Sequence, residues 1–359
     1  MATTTREPGT EQTRESGGEP MISKHTTSKE LKVHAPTMKA IVQDKYGSSE
    51  VLEPRNIDKP KLGDDEVLVR VRAAAVNPGD WAIMGGLPYI ARPVYGLRKP
   101  NNRVRGMDVA GEVEAVGRSV TRFQPGEGVF GWCQRLGGAF AEYASVSEGA
   151  LAPKPANLTF EQAAAVPTAG SVALEALRDV RAGQKVLVNG ASGGIGSFAV
   201  QIAKSLGADV TGVCGTQNVD LVRSIGADQV LDYTKENFTQ TGQRYDFILD
   251  NVGNHSLSDL RRALTPEGTL VPNGGAFENH WFAGGGRVMS AKILSRFVSQ
   301  TLRTFIMSQK LEYLVALKDL IEAGKVTPVI GRTYPLRETP QAIDHVGLGH
   351  ARGKVVITV

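Results

Sequence analysis

The stretch Lys185-Val186-Leu187-Val188-Asn189-Gly190-Ala191-Ser192-Gly193-Gly194-Ile195-Gly196 decides the fold. Its first half is a short apolar run suited to a strand, and its glycines turn the chain sharply. Ile195, Ala199, Ile202, Ala203 and Leu206 then recur at helical spacing until Gly207 closes the helix. A strand, a glycine turn and a helix in that order bring backbone N–H groups and the positive end of a helix dipole to one point, where a pyrophosphate can approach. A lone glycine turn serves equally well as a bare strand–helix corner, so the sequence beyond it has to decide. Strands are expected at 209–214, 229–233, 245–250 and 268–272, with helical stretches at 219–225 and 257–264. That alternation implies a doubly wound parallel sheet, and with it a dinucleotide site on Ser192, Gly193, Gly194, Ile195 and Gly196.

Upstream, from Met38 to about Ala150, apolar residues come at period two or in short runs, as at 66–72 and 109–116. Asn77-Pro78-Gly79, Gly85-Gly86, Pro125-Gly126 and Gly137-Gly138 punctuate them, as in a compact antiparallel, barrel-like domain whose chemistry sits on loops. Residues 160–165 and 172–177 read as helical. Residues 276–307 break the alternation with Gly284-Gly285-Gly286, Trp281, Phe282 and an apolar-basic helix, expected to wall a pocket or a subunit contact. A helix at 311–323 and a final strand at 354–359 return to the first domain. The expected organisation is a disordered tail (1–36), a β-rich domain (37–160), an inserted cofactor domain (161–307, with the insertion near 276–307) and a closing part (308–359).

With 359 residues, a charge of +4 and mixed acids and bases, the chain is a globular protein and not a nucleic-acid binder. Cys133 and Cys214 are too few for a disulfide framework or a four-thiolate zinc site. Residues 1–36 are polar, lack an apolar signal core and carry Glu7, Glu11, Glu15 and Glu19, against a secretory or mitochondrial leader; the expectation is a cytoplasmic protein without stable membrane insertion. An NAD-selective site places an acid about 20 residues beyond the first glycine. Positions 210–219 contain none. Gly215 and Thr216 would tolerate a 2′-phosphate, with Lys204 and Arg223 near in sequence, so NADPH is expected over NADH.

From Met38 to Val359 the chain resembles the quinone oxidoreductase (zeta-crystallin-like) branch of the medium-chain dehydrogenase/reductase superfamily. The resemblance is carried by Met38-Lys39-Ala40-Ile41-Val42, Asn77-Pro78-Gly79-Asp80-Trp81, Gly106-Met107-Asp108-Val109-Ala110-Gly111, Pro125-Gly126-Glu127-Gly128-Val129-Phe130-Gly131, Gly190 to Gly196 and Gly353-Lys354-Val355-Val356. It implies an α/β fold in which a GroES-like β-rich catalytic domain is interrupted by a Rossmann domain. Zinc members of the superfamily hold the metal with a Cys in the loop matching Asn77 and a Gly-His-Glu matching Gly106-Met107-Asp108; Asn and Met there point to a metal-free site. Without a metal Lewis acid, the expected chemistry is hydride addition to an already polarised acceptor, a quinone or an α,β-unsaturated carbonyl.

By resemblance, Asn77 and Asp80 line the pocket beside the nicotinamide, and Thr168 bonds its carboxamide. Asn251, Gly253 and Gly274 touch the ribose and nicotinamide, and Lys204 and Lys354 match basic positions near the adenosine end. On their own residues, Asn77 also reads as a turn residue before Pro78, and Asp80 as a cap or an ion-pair partner. The proton is expected from water or from a tyrosine, with Tyr46, Tyr89 and Tyr95 as the candidates. The resemblance implies a homodimer. The alternatives are an enoyl-thioester or natural-product enone reductase, and a weakly catalytic NADPH-binding regulatory protein.

Overall fold

The structure, a computed structural model, describes residues 36–133, 137–273, 285–349 and 351–359. The expected tail, Gly274 and the insertion up to residue 284, with Trp281 and Phe282, lie outside the described residues.

The first half is built on strands β1 (Thr37–Gln43), β2 (Leu52–Asp58), β3 (Glu66–Val76), β4 (Asp108–Val116), β5 (Gly128–Trp132), β6 (Tyr143–Ser147) and β7 (Leu151–Pro153). Between β3 and β4 lie the short helices α1 (Pro78–Met84) and α2 (Arg92–Tyr95). Helices α3 (Phe160–Ala164) and α4 (Pro167–Leu177) lead into the second half. There β8 (Lys185–Asn189), α5 (Gly194–Ser205), β9 (Asp209–Cys214), α6 (Val219–Ser224), β10 (Gln229–Asp232), β11 (Tyr245–Asp250), α7 (Leu257–Arg262), β12 (Leu264–Pro272), α8 (Gly285–Leu294) and β13 (Thr301–Leu302) follow. Helix α9 (Leu311–Glu322), β14 (Ile330–Pro335), α10 (Thr339–Gly347) and β15 (Lys354–Thr358) complete the chain.

Strands β8 to β13 form a sheet in the order β10-β9-β8-β11-β12-β13, parallel at every pairing. This is the doubly wound order, with a ligand crevice at the carboxyl ends of the strands where the winding reverses. Its strands are buried on both faces: Val186 and Val188 join one core, Leu187 the other. The second sheet runs β14-β15-β3-β4-β5-β7, with β6 on β3, and is antiparallel except at β14–β15. The C-terminal β15 therefore returns to the antiparallel sheet of the first half, beside β3. The larger core is continuous between the two sheets: Ala75, Phe130 and Trp132 share it with Ala169 and Ala173 of α4, Phe198 and Ala199 of α5 and Leu314 and Leu317 of α9.

Two local readings change. Asn77-Pro78-Gly79 reads as turn punctuation, yet it opens α1, because proline at a first helical position loses no hydrogen bond. The helix expected at 172–177 starts five residues earlier, at Pro167, for the same reason. No helix among the described residues is long and apolar enough to cross a membrane.

Candidate active site

Three strand ends meet at one point. β3 ends at Val76, and the antiparallel strands on either side of it begin there: Val76 pairs with Val355 of β15, and Ala75 pairs with Asp108 of β4. Asn77, Asp108 and Lys354 are consequently neighbours, although they lie far apart in sequence. All three are buried, at 4%, 0% and 3% exposure. Lys354 Nζ donates to Asn77 Oδ1 at 2.5 Å and to the Val76 carbonyl at 3.3 Å, and it lies 3.6 Å from Asp108 Oδ2. Asn77 Nδ2 donates to Asp108 Oδ2 at 3.0 Å. An ammonium only donates and a carboxylate only accepts, so the Asn77 amide has one permitted orientation. One Nδ2–H is used by Asp108, and the other has no partner among the described residues.

The first turn of α4 closes the cluster: Thr168 Oγ1 donates to Asp108 Oδ1 at 2.5 Å. Its donor is thus spent while its lone pairs remain free to accept. Asp80, in the first turn of α1, accepts the Asn77 backbone N–H at 2.8 Å, so its capping role holds. Burial pushes the Asp80 carboxyl up to about 7, against the pull of that bond and of Lys354 and Arg105. Burial also raises Asp108 and lowers Lys354, each opposed by the other's charge. Arg105, buried and bonded to the Asn102 carbonyl, is the second cation facing Asp80. Asp108 and Arg105 were not among the expected site residues; the Gly106-Met107-Asp108 motif was the available signal for the first.

The glycine turn adjoins this cluster. Gly353 N–H donates to the Ser192 carbonyl at 2.8 Å, and a Cβ on Gly194 would lie 3.0 Å from the Lys354 side chain. Gly190 has φ +80°, and a Cβ on Gly196 would meet the Gly190 carbonyl at 2.0 Å, so both positions need glycine to press helix α5 against β8. A Cβ on Gly193 would meet only the Gly190 carbonyl, at 3.4 Å; the turn is open on its outer side, where Gly194 begins α5. Past β11, Asp250 is held by Asn189, Arg287 and the N–H groups of Val252 and Gly253. Asn251 Oδ1 accepts from Asn273, but its buried Nδ2 has no partner among the described residues. An orphaned donor at the carboxyl ends of the strands, together with an open glycine turn on a helix N-terminus, fits a dinucleotide with an acceptor group on its nicotinamide side.

At the end of β9, Thr216 donates to Asp232 Oδ2 at 2.7 Å. Asp232 also accepts Thr234 and pairs with Lys235 at 3.4 Å, so its oxygens are committed. Lys235 is well exposed beside Thr216, and a Cβ on Gly215 would lie 3.1 Å from the Tyr233 hydroxyl. Both were missed because β10 brings them alongside from sixteen or more residues away, beyond the reach of a local motif.

Three expectations are not met by the geometry. Lys204 sits in the last turn of α5, about 15 Å of helix from the glycine turn, where Asp228 holds its ammonium with two 2.8 Å bonds. It clamps the helix end. Lys354 is at the catalytic cluster and not at the adenosine end, since β15 enters between β3 and β14 and delivers its first side chain to Asn77. The Tyr46 hydroxyl donates to the Gly96 carbonyl at 2.6 Å, and its ring lies under Arg92, so it is not joined to the Asn77 cluster. Burial pushes Tyr46 and Tyr95 up, away from donor duty at neutral pH.

Two family models match: one described as Alcohol dehydrogenase GroES-like domain, over residues 63–156, and one described as Zinc-binding dehydrogenase, over 225–357. The mouse protein named NAD(P)H oxidoreductase RTN4IP1, mitochondrial, is 36% identical over 90% of this chain and 89% of its own length. The Arabidopsis thaliana NADPH-dependent alkenal/one oxidoreductase, chloroplastic, is 33% identical over 89% of this chain and 79% of its own. Among solved structures, a quinone oxidoreductase from Coxiella burnetii superimposes with a TM-score of 0.79 at 28% identity, covering 90% of this chain and all of that one. The zinc of the second family description does not fit the residues present. The Asn77 oxygen is held by an ammonium, both Asp108 oxygens already accept hydrogen bonds, and burial beside Asp108 and Asp80 keeps the Cys133 thiol protonated. Among the described residues of this cluster, only the Met107 thioether is left.

Proposed function

Since this chain belongs to the quinone oxidoreductase branch of the medium-chain dehydrogenase/reductase superfamily, we propose that it is an NADPH-dependent reductase of quinones or α,β-unsaturated carbonyls that works without a metal. The observation that carries the reading is the Asn77 amide, locked by Lys354 and Asp108 with one N–H to spare, next to the glycine turn. The cofactor supplies hydride from its nicotinamide ring. The residues supply the rest. The turn from Ser192 to Gly196 and the N-terminus of α5 receive the pyrophosphate. Thr168 accepts the carboxamide N–H, and Asn251 and Gly253 face the ribose. The spare Asn77 N–H donates to the acceptor's carbonyl oxygen, where charge develops as hydride arrives; such a preorganised donor is worth about 10²–10³ in rate. The proton that completes the reduction comes from water, because Tyr46 is committed to Gly96.

Preference for NADPH over NADH rests on the absence of a free carboxylate at the end of β9 and on Lys235 beside Thr216. The expected homodimer has a candidate face at the sheet edge, where β13 is followed by no further strand among the described residues and Met289, Ile293 and Phe297 are exposed. The deciding experiment is oxidation of NADPH and NADH by chelator-treated protein with quinones, enones and simple aldehydes. Quinone or enone turnover is expected; saturable NADPH binding with no turnover of any acceptor would overturn the reading in favour of a non-catalytic binder.

A further inference from the structure

Between Asp80 and Asp108 the sequence runs through 27 residues without an acid, yet it contains Arg92, Arg98, Lys99, Arg103 and Arg105. The structure separates these cations. Arg105 is buried and Arg103 pairs with Asp44 at 2.6 Å, whereas Arg98 and Lys99 are exposed and have no carboxylate partner among the described residues. Around them stand three large apolar side chains turned to solvent, Ile90, Val94 and Leu97, at 62%, 69% and 69% exposure.

The exposure does not come from a loose loop. Arg92 Nε donates to the Gly86 carbonyl, and its guanidinium lies 5.0 Å and 4.5 Å from the centres of the Tyr46 and Tyr89 rings. Gly96 accepts the Tyr46 hydroxyl and takes φ +122°, with the Lys99 carbonyl 1.9 Å from where a Cβ would stand. Asn101 N–H closes the loop on the Tyr95 carbonyl at 2.7 Å. The backbone is tied down while three apolar tips and two free cations project from it.

We propose that the segment from Pro88 to Asn101 docks on an anionic phospholipid membrane. Apolar tips collared by arginine and lysine, with Asp44, the acid beside Lys99, already paired with Arg103 and Arg55, match a surface that is apolar within and anionic at its headgroups. A protein partner would need carboxylates placed to meet Arg98 and Lys99, whereas an anionic bilayer meets them in any orientation. The inference deepens the proposed function and takes its purpose from it. Segment 88–101 joins α1, which opens at Asn77, to β4, which opens at Asp108, so docking would hold the site at the surface in which an apolar quinone dissolves.

The test is co-sedimentation of the full chain with phosphatidylcholine vesicles, with and without phosphatidylglycerol, at low and high salt. Two double variants are compared, Val94→Glu/Leu97→Glu and Arg98→Gln/Lys99→Gln, with thermal melts to confirm that they fold. Binding is expected only to phosphatidylglycerol vesicles, weakened by salt, lost in the first variant and reduced about fivefold for each cation removed in the second. Turnover of a water-soluble quinone should be unchanged in both variants, while turnover of a long-chain quinone held in the vesicles falls with binding. Equal sedimentation with both vesicle types, variants that bind like the wild type, or a dimer that both variants dissolve would overturn the proposal. Vesicle binding with no turnover of either quinone would leave the docking surface standing and remove the proposed function.

Discussion

Replacing Lys354 with methionine shortens the unbranched side chain by one atom and removes its charge. Both Lys354 and Asp108 are buried, so the change leaves a carboxylate without its ammonium and the Asn77 oxygen without its donor. Breaking a buried pair from one side costs about 3–5 kcal/mol. The lower end is expected here, because Asp108 is already raised by burial and can take up a proton in place of its lost partner. In a melt this is a fall of about 4 °C for a chain of this size. Kinetically, Asn77 becomes free to turn its amide, and the loss of a fixed donor predicts a drop in kcat of about 10² with NADPH affinity nearly unchanged. The double variant Lys354→Met/Asp108→Asn removes both charges and should recover at least about 1 kcal/mol relative to the sum of the single costs. Single costs that add within about 0.5 kcal/mol, or a Lys354→Met enzyme with wild-type kcat, would refute the coupling.

The remaining expectations concern neighbouring parts of the same site. Because the folded-state Asp80 is raised from 3.8 to about 7, its stabilising contribution is complete below pH 4 and is lost as pH rises through 7; Asp80→Asn, which can still accept the Asn77 N–H, should flatten that slope in chemical denaturation across this window. Gly196→Ala forces a methyl group to 2.0 Å from the Gly190 carbonyl and should cost at least about 2 kcal/mol in stability, whereas Gly193→Ala meets nothing closer than 3.4 Å and should leave the melt unchanged while weakening NADPH binding in a fluorescence titration. Asn77→Ala should lower turnover with little effect on NADPH affinity, and unchanged turnover would remove it from the mechanism. Lys235→Glu should lower affinity for NADPH more than for NADH; an equal effect on both would take Lys235 out of the 2′-phosphate site.

The parallel sheet was legible because its information is local. β8, β9 and β11 end where the apolar runs end, and the glycine turn lies between a strand and a helix as its spacing requires. The polar cluster was only half legible. Asn77 and Asp80 are neighbours in a motif, but the third and fourth members arrive through pairing of β3 with β4 and β15, and no periodicity announces which strand ends will meet. Lys354 shows the difference clearly. As sequence it is a basic residue before an apolar strand, matched by resemblance to the adenosine end; the antiparallel register sends it to Asn77 instead. Lys204 fails in the opposite way, since counting along the sequence placed it near the ribose while the rise of α5 carries it to the far end of the helix and into the reach of Asp228.

The same register explains how the site does without a dication. The loop after β3 and the start of β4, which hold the metal in the zinc members the chain resembles, here hold an amide and a carboxylate that face each other across 3.0 Å. A carboxylate buried at 0% exposure needs a compensating charge, and the strand beside β3 brings one in the form of Lys354. The ammonium spends its donors on Asn77, Val76 and the Asp108 side, so it offers nothing directly to a substrate. Its effect passes through the amide: with its oxygen fixed by a cation and one N–H fixed by an anion, Asn77 can present only a donor to whatever lies next to it. A site of that kind polarises a carbonyl that is already electron-poor but cannot stabilise a full alkoxide as a metal does, which is why we propose for it the reduction of quinones and enones and not the oxidation of simple alcohols.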